Sequence, residues 1–224
     1  MKRFYKIYIF WIFLLTITGG FLNSIGILYF GEAISHYSGN LSKIAIEYQL
    51  HHYEHTLKIL GLFISFFMGC VLAGFFTKGR AFDLQKRYGC ILIGISCFLS
   101  FSYFFLIRLR FFPYFLPFCL GVQNGMFISY KGVIVRTTHI SGNLTDAGVY
   151  LGKHLRGEKQ DAWKMFFYLY NIFSFFLGNF WGAEEFIKRG ESCLLIAAVL
   201  YFIIGSFYFI LRELHQQIKV NGLS

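Results

Sequence analysis

Gly121-Val122-Gln123-Asn124, followed by Thr137-Thr138-His139-Ile140-Ser141-Gly142-Asn143-Leu144-Thr145-Asp146, is the stretch on which the fold turns. Earlier in the chain Gly20-Phe21-Leu22-Asn23 stands in an apolar run, and His36-Tyr37-Ser38-Gly39-Asn40-Leu41-Ser42 follows it. Both copies read Gly-x-x-Asn, then His-x-Ser-Gly-Asn-Leu-Ser/Thr. A duplication of this kind, set between hydrophobic segments, points to two related halves of one membrane domain.

The composition agrees. Of 224 residues, 56% are hydrophobic and 14% charged, whereas a water-soluble domain carries about 25% charged residues. The excess apolar content needs a bilayer as partner. A formal net charge of +10 raises the question of nucleic acid. The basic residues lie in short clusters between apolar runs, however, which is the pattern that sets membrane topology, and no nucleic-acid partner is expected. Cys70, Cys90, Cys97, Cys119 and Cys193 all sit in apolar runs without a Cys-x-x-Cys spacing, so they read as small packing residues.

Uncharged runs cover 7–31, 59–77, 88–107, 111–130, 165–183 and 192–211. The last five are 19 or 20 residues long, against about 20 for a helix that crosses the hydrocarbon core. Backbone groups in lipid must bond within their own segment, so the runs are expected to be helices. The first run is too long for the core of a signal peptide and lacks an Ala-x-Ala-like site, so it is expected to be retained. With the amino terminus placed in the cytoplasm, fifteen of the 21 lysines and arginines fall on the inner side, which predicts both termini inside.

The repeat reaches further than its opening motifs. Phe66-Phe67-Met68-Gly69 matches Phe175-Phe176-Leu177-Gly178, and Gly89-Cys90-Ile91-Leu92-Ile93 matches Ser192-Cys193-Leu194-Leu195-Ile196. Spans one to three therefore correspond to spans four to six. A unit with an odd number of spans must re-enter from the other side. The expected fold is an all-α integral membrane domain over 1–224, with six transmembrane helices in two three-helix inverted-topology repeats, 7–107 and 111–211. The His36 motif would lie at the outer end of span one and the His139 motif at the inner end of span four.

Asn23 and Asn124 occupy equivalent apolar surroundings. Each can serve as interhelical glue or as polar lining of a site between the repeats, and Gln123 adds polarity in the second copy. Ser38-Gly39-Asn40 and Ser141-Gly142-Asn143 read as helix interruptions, with glycine permitting the break and Ser38 and Ser141 able to cap a following helix. His36 and His139 precede these turns, as structural hydrogen-bonding residues or as proton carriers. Asp146 is the carboxylate nearest to this set. His51-His52-Tyr53-Glu54-His55 has the spacing of a helical metal pair, but it lacks a counterpart in the second repeat and reads as a solvated outer loop. Glu184, Glu185 and Glu191, with Lys188 and Arg189, read as another. Neither a metal site nor a cofactor is expected. Nucleotide, serine-hydrolase and zinc-protease motifs are absent, so an enzyme is not expected either.

The run Arg136-Thr137-Thr138-His139-Ile140-Ser141-Gly142-Asn143-Leu144-Thr145-Asp146 after Gly121-Val122-Gln123-Asn124 resembles the YoaK-like family of bacterial six-span membrane proteins, a domain of unknown function. That family shows Gly-x-Gln-Asn, then Arg-Thr-Thr-x-x-Thr/Ser-Gly-Asn-Leu-Thr-Asp, and in its first half Gly-x-x-Asp, then Thr-Gly-Asn. The chain departs from it at Asn23, where the family carries Asp. The resemblance covers almost the whole chain and implies a multi-pass protein of the bacterial plasma membrane. The function expected from the residues is passage of a small solute or ion between the repeats. The alternative is a non-transporting scaffold or partner-binding protein whose motifs serve packing.

Overall fold

A computed structural model describes residues 2–77, 86–126, 128–131, 133–158 and 160–220. The inner-side cations Lys78, Arg80 and Lys159 lie outside the described residues.

The apolar runs form helices α1 (Lys2–Phe30), α3 (Tyr53–Phe76), α4 (Lys86–Phe101), α7 (Ala162–Arg189) and α8 (Cys193–Val220), and a π-helical turn, Ser102–Leu106, extends α4. Two further helices follow the paired motifs, α2 (Tyr37–Gln49) and α6 (Ile140–Leu155). Helix α7 runs through Glu184, Glu185, Lys188 and Arg189, which form i,i+4 ion pairs where a loop was expected.

The fourth run departs from expectation. Its helix, α5, covers only Phe115–Gly125, after a 3-10 turn at Phe112–Tyr114. Together these rise roughly 22 Å, short of the ~30 Å hydrocarbon core. Beyond Gly125 the chain turns to β-branched residues, and Ile128–Tyr130 (β1) pairs antiparallel with Val133–Val135 (β2). Residues 116, 117 and 119–125 are buried, so α5 is enclosed by protein and need not match the bilayer.

Four helical stretches are long and apolar enough to cross a membrane: Lys6–Phe30, Tyr53–Phe76, Lys86–Leu106 and Ala162–Gln217, the last containing α7 and α8. Large apolar side chains such as Phe67, Phe75, Phe104, Phe105, Phe176, Phe180 and Phe202 point outward. An exposed surface of this kind is stable only against lipid or another protein. The chain is a helical membrane protein.

The tightest packing rests on glycine. Helix α1 crosses α7, and α3 crosses α5. A methyl group at Gly20 would run into the Phe175 carbonyl, and one at Gly178 into the Ile17 carbonyl. The second crossing has the same construction, with Gly121 on the Phe66 carbonyl and Gly69 on the Phe118 carbonyl. Each of these glycines is followed four residues later by a small residue: Ser24, Ala73, Gly125 or Gly182. Lipid tails are as apolar as leucine and offer no hydrophobic reward for helix association, so such stripes let backbones approach and collect dispersion contacts instead. The remaining long pair, α4 and α8, closes around Leu92, Tyr88, Tyr201 and Tyr208. Helix α2 lies on α3, and α6 lies on α7.

Candidate functional site

The expected breaks lie elsewhere than at the Ser-Gly-Asn triplets. Helix α1 ends where Gly31 takes φ +75°, a left-handed value that side chains resist, and its N–H closes on Ile27 O at 2.8 Å. His36 and His139 are the N-cap residues of α2 and α6, and neither cap side chain bonds a first-turn N–H. Ser38, Gly39, Ser141 and Gly142 are therefore already inside the first helical turn, and the serines are not the caps. Glycine is tolerated there because the helix is set by the residues after it. A methyl group at Gly39 would meet open space, whereas one at Gly142 would press on the His139 ring.

Each motif is pinned by the asparagine before it. In the first copy, Ser35 Oγ donates to Asn23 Oδ1 at 2.7 Å and lies 2.9 Å from His36 Nδ1. Asn23 Nδ2 donates to Asn179 Oδ1 at 3.1 Å, and Asn179 Nδ2 donates to Phe175 O at 2.9 Å. In the second copy, Asn124 Nδ2 donates to Thr138 Oγ1 at 2.6 Å. Asn124 Oδ1 accepts from Thr137 Oγ1 at 3.1 Å and from Thr138 N at 3.3 Å, and its carbonyl accepts from the Arg136 guanidinium. Gln123 is locked as well, donating to Leu15 O at 3.1 Å and Thr137 Oγ1 at 2.7 Å and accepting from Tyr201. Ser35, Arg136, Thr137 and Thr138 thus hold the site, although the sequence reading placed none of them in it. The recoverable signal was the hydroxyl residue directly before each motif histidine.

Both motifs open onto one cavity of about 510 Å³. His36, Ser38, Asn124, His139 and Ser141 line it, together with Ser35, Tyr37, Thr138, Arg136 and the α3 residues Phe66, Cys70 and Gly74. Five of the twelve candidate residues therefore meet there. Asn23 and Gln123 stand behind the wall. Gly39 and Gly142 are in the helix turns. Asn40 is buried and donates to Ala33 O at 2.7 Å, while Asn143 Nδ2 is buried without a partner among the described residues. Asp146 faces Tyr168 of α7, away from the cavity lining. Burial, then the neighbouring His139, pushes the His36 imidazole below its ordinary value of 6.5.

The histidine-rich segment is more ordered than a loop. Helix α2 runs to Gln49 and α3 begins at Tyr53. His55 Nε2 lies 3.1 Å from the buried carboxylate of Glu32, which Lys43 also meets at 2.9 Å. Glu47 takes His52 at 2.8 Å and His55 at 3.3 Å, and these contacts hold its carboxyl below the usual carboxylate range. The cluster fastens α2 to α3. Among the described residues no group of three or more histidines, cysteines or carboxylates has the geometry of a metal site.

No curated protein and no solved structure matches the chain. A family described as "Protein of unknown function (DUF1275)", the family to which the YoaK-like resemblance points, matches residues 11–207. Since that match spans nearly the whole helical body, both paired motifs and both glycine crossings included, the chain belongs to this family of unknown function.

Proposed function

We propose that the protein is a carrier, not an enzyme, that moves a small solute across the bacterial plasma membrane, with its site between two inverted halves, α1–α4 and α5–α8. The observation that carries this reading is the single cavity walled by corresponding residues of both halves, His36 with His139 and Ser38 with Ser141. The duplicated glycine crossings support it, because Gly20 on Phe175 and Gly121 on Phe66 are one contact made twice by exchanged partners. Inverted repeats that meet at a central polar site are a recurring basis for alternating access. In this reading the spanning set is the five long helices plus the enclosed α5, and both termini face the cytoplasm.

Reconstituted protein should carry at least one member of a panel of small anionic, cationic and neutral solutes. Ser38→Trp and Ser141→Trp, which fill the cavity, should abolish that flux without loss of folded protein. Empty flux for every solute would overturn the reading, as would full flux in both tryptophan variants. Reporter fusions after Ser42 and Lys153 should register opposite sides of the membrane, and the same side for both would remove the inverted arrangement.

A scaffold function is the second reading. It is favoured by one observation, that Asn40 and Asn124 spend their hydrogen bonds on the fold itself. It predicts that motif substitutions lower stability with no flux to lose.

A further inference from the structure

The hydrogen-bond chain behind His36 has a fixed direction. A helix carbonyl can only accept, so Phe175 O sets the Asn179 amide with Nδ2 toward itself and Oδ1 toward Asn23. Asn23 must then present Nδ2 to Asn179 and Oδ1 to Ser35, whose single hydroxyl hydrogen goes to it. Ser35 Oγ is left as an acceptor for His36, so Nδ1 of His36 carries a hydrogen. Neutral His36 therefore has its lone pair on Nε2, which has no protein hydrogen-bond partner among the described residues. Protonation at Nε2 turns that acceptor into a charged donor on the cavity wall.

The rest of the described lining favours negative charge. It carries the Arg136 guanidinium, two imidazoles, hydroxyls from Ser38, Thr138 and Ser141, and no carboxylate, while the hydroxyl hydrogens of Ser35 and Tyr37 are spent on Asn23 and on the Ile34 carbonyl. The other titratable or charged groups on the wall are Arg136 and His139 before α6, Cys70 of α3 and Tyr37 at the start of α2, while α7 meets the His36 ring with Phe175 in a T-shaped contact. Helices α2 and α6 both begin on this wall without a side-chain cap, so their first-turn N–H groups add positive potential.

We propose that the cavity takes a small oxyanion, inorganic or a short carboxylate, together with a proton on Nε2 of His36. This names the solute class for the carrier reading and rests on that reading only for transport, not for binding. Without an anion, burial and then the neighbouring His139 disfavour the charged form of His36. An anion between them pairs with the charged form and draws the proton in. Anion affinity should then rise as pH falls, approaching about tenfold per pH unit for one linked proton.

The test uses purified full-length chain in detergent with sulfate and formate as probes, because neither changes charge near neutrality and they separate inorganic from carboxylate ligands. Tetramethylammonium and glycerol serve as cationic and neutral controls. One or both anions should raise the melting temperature, at lower concentration below pH 6.5 than above it, and the controls should not. His36→Gln should keep anion binding but lose its pH dependence. Arg136→Gln should weaken binding at every pH, and Arg136→Lys, which retains the charge, should restore part of it. Equal anion affinity on both sides of that pH, an unchanged pH dependence in His36→Gln, or stabilisation by tetramethylammonium alone would overturn the proposal. Anion binding without flux in proteoliposomes would refute the carrier and leave this inference standing. Flux of cations or neutral solutes without anion binding would do the reverse.

Discussion

The two copies of the motif share residues and differ in wiring. The first is tied outward: Ser35, Asn23 and Asn179 link His36 to α7. The second is tied inward: Asn124 is clasped by Arg136, Thr137 and Thr138 of its own returning segment. The origin lies in one substitution between the repeats. Counting from Phe175 and Phe66, the position of Asn179 in α7 is occupied in α3 by Cys70. A thiol cannot continue an amide chain, so Asn124 takes partners from the residues ahead of His139. The smaller side chain also leaves room, and the cavity lies on that side, against Phe66, Cys70 and Gly74. Equal motifs and equally close crossings thus leave one position filled, at Asn179, and its counterpart open to the cavity, at Cys70.

The largest expected effect strikes what the two crossings share. Gly20→Val and Gly121→Val should each force two helix backbones apart, costing at least ~1–3 kcal/mol and leaving little folded protein by size exclusion. Gly39→Val should have almost no effect, since open space surrounds that position.

Next comes the inward clasp. Asn124→Leu should strand the Thr137 and Thr138 partners, at about 1–3 kcal/mol for each buried group left unpaired. Asn23→Leu should cost less, because Asn179 keeps its bond to Phe175 O. Melting temperatures of the pair measure the difference, and equal losses would show that the wiring is not what separates the copies.

Cys70→Asn addresses the asymmetry itself. It restores the first copy's amide in the second and should shrink the cavity, abolishing sulfate and formate stabilisation while changing the melting temperature of unliganded protein by little. Acidification gives a subtler reading. The folded-state His36 is held below 6.5, so the unfolded chain binds more protons in that window. Stability should be intact above pH 6.5 and decline as pH falls through and below it, and His36→Gln should flatten the decline. The smallest effect belongs to the triplet asparagines. Asn40→Ala loses its bond to Ala33 O, worth about 1 kcal/mol, whereas Asn143→Ala removes an amide nitrogen that had no partner among the described residues and should be close to neutral.

Much of this architecture is written in hydropathy. Five of the six apolar runs are long helices because twenty uncharged residues have few alternatives in lipid. The fourth run misled because α5 is enclosed by protein, which removes the length requirement, and the β-branched residues after Gly125 could then end it. The Ser-Gly-Asn triplets suggested breaks because glycine and serine often make them. In both copies the turn falls earlier, at Gly31 in one and after Gly125 in the other, and the triplet rides in the next helix. The cavity itself was not legible. It depends on which hydroxyl each asparagine captures and on a Cys in place of an Asn across a helix crossing, and spacing along the chain encodes neither. Glu32 escaped attention for a related reason: it adjoins an apolar run, and only folding brings Lys43 and His55 to it.

Cys70 has one more consequence. Cys119 and Cys193 are buried, Cys97 is exposed on α4, and Cys90 is exposed in the first turns of α4 beside Lys86 and Arg87. A charged, membrane-impermeant thiol reagent partitions poorly into lipid and cannot enter a close-packed core. Cys70 borders the polar cavity between the two motifs. With Cys90 replaced by serine, the chain carries its own chemical gauge: the side of the membrane from which such a reagent labels Cys70 reports the direction in which the cavity opens, and protection by sulfate would report its occupancy.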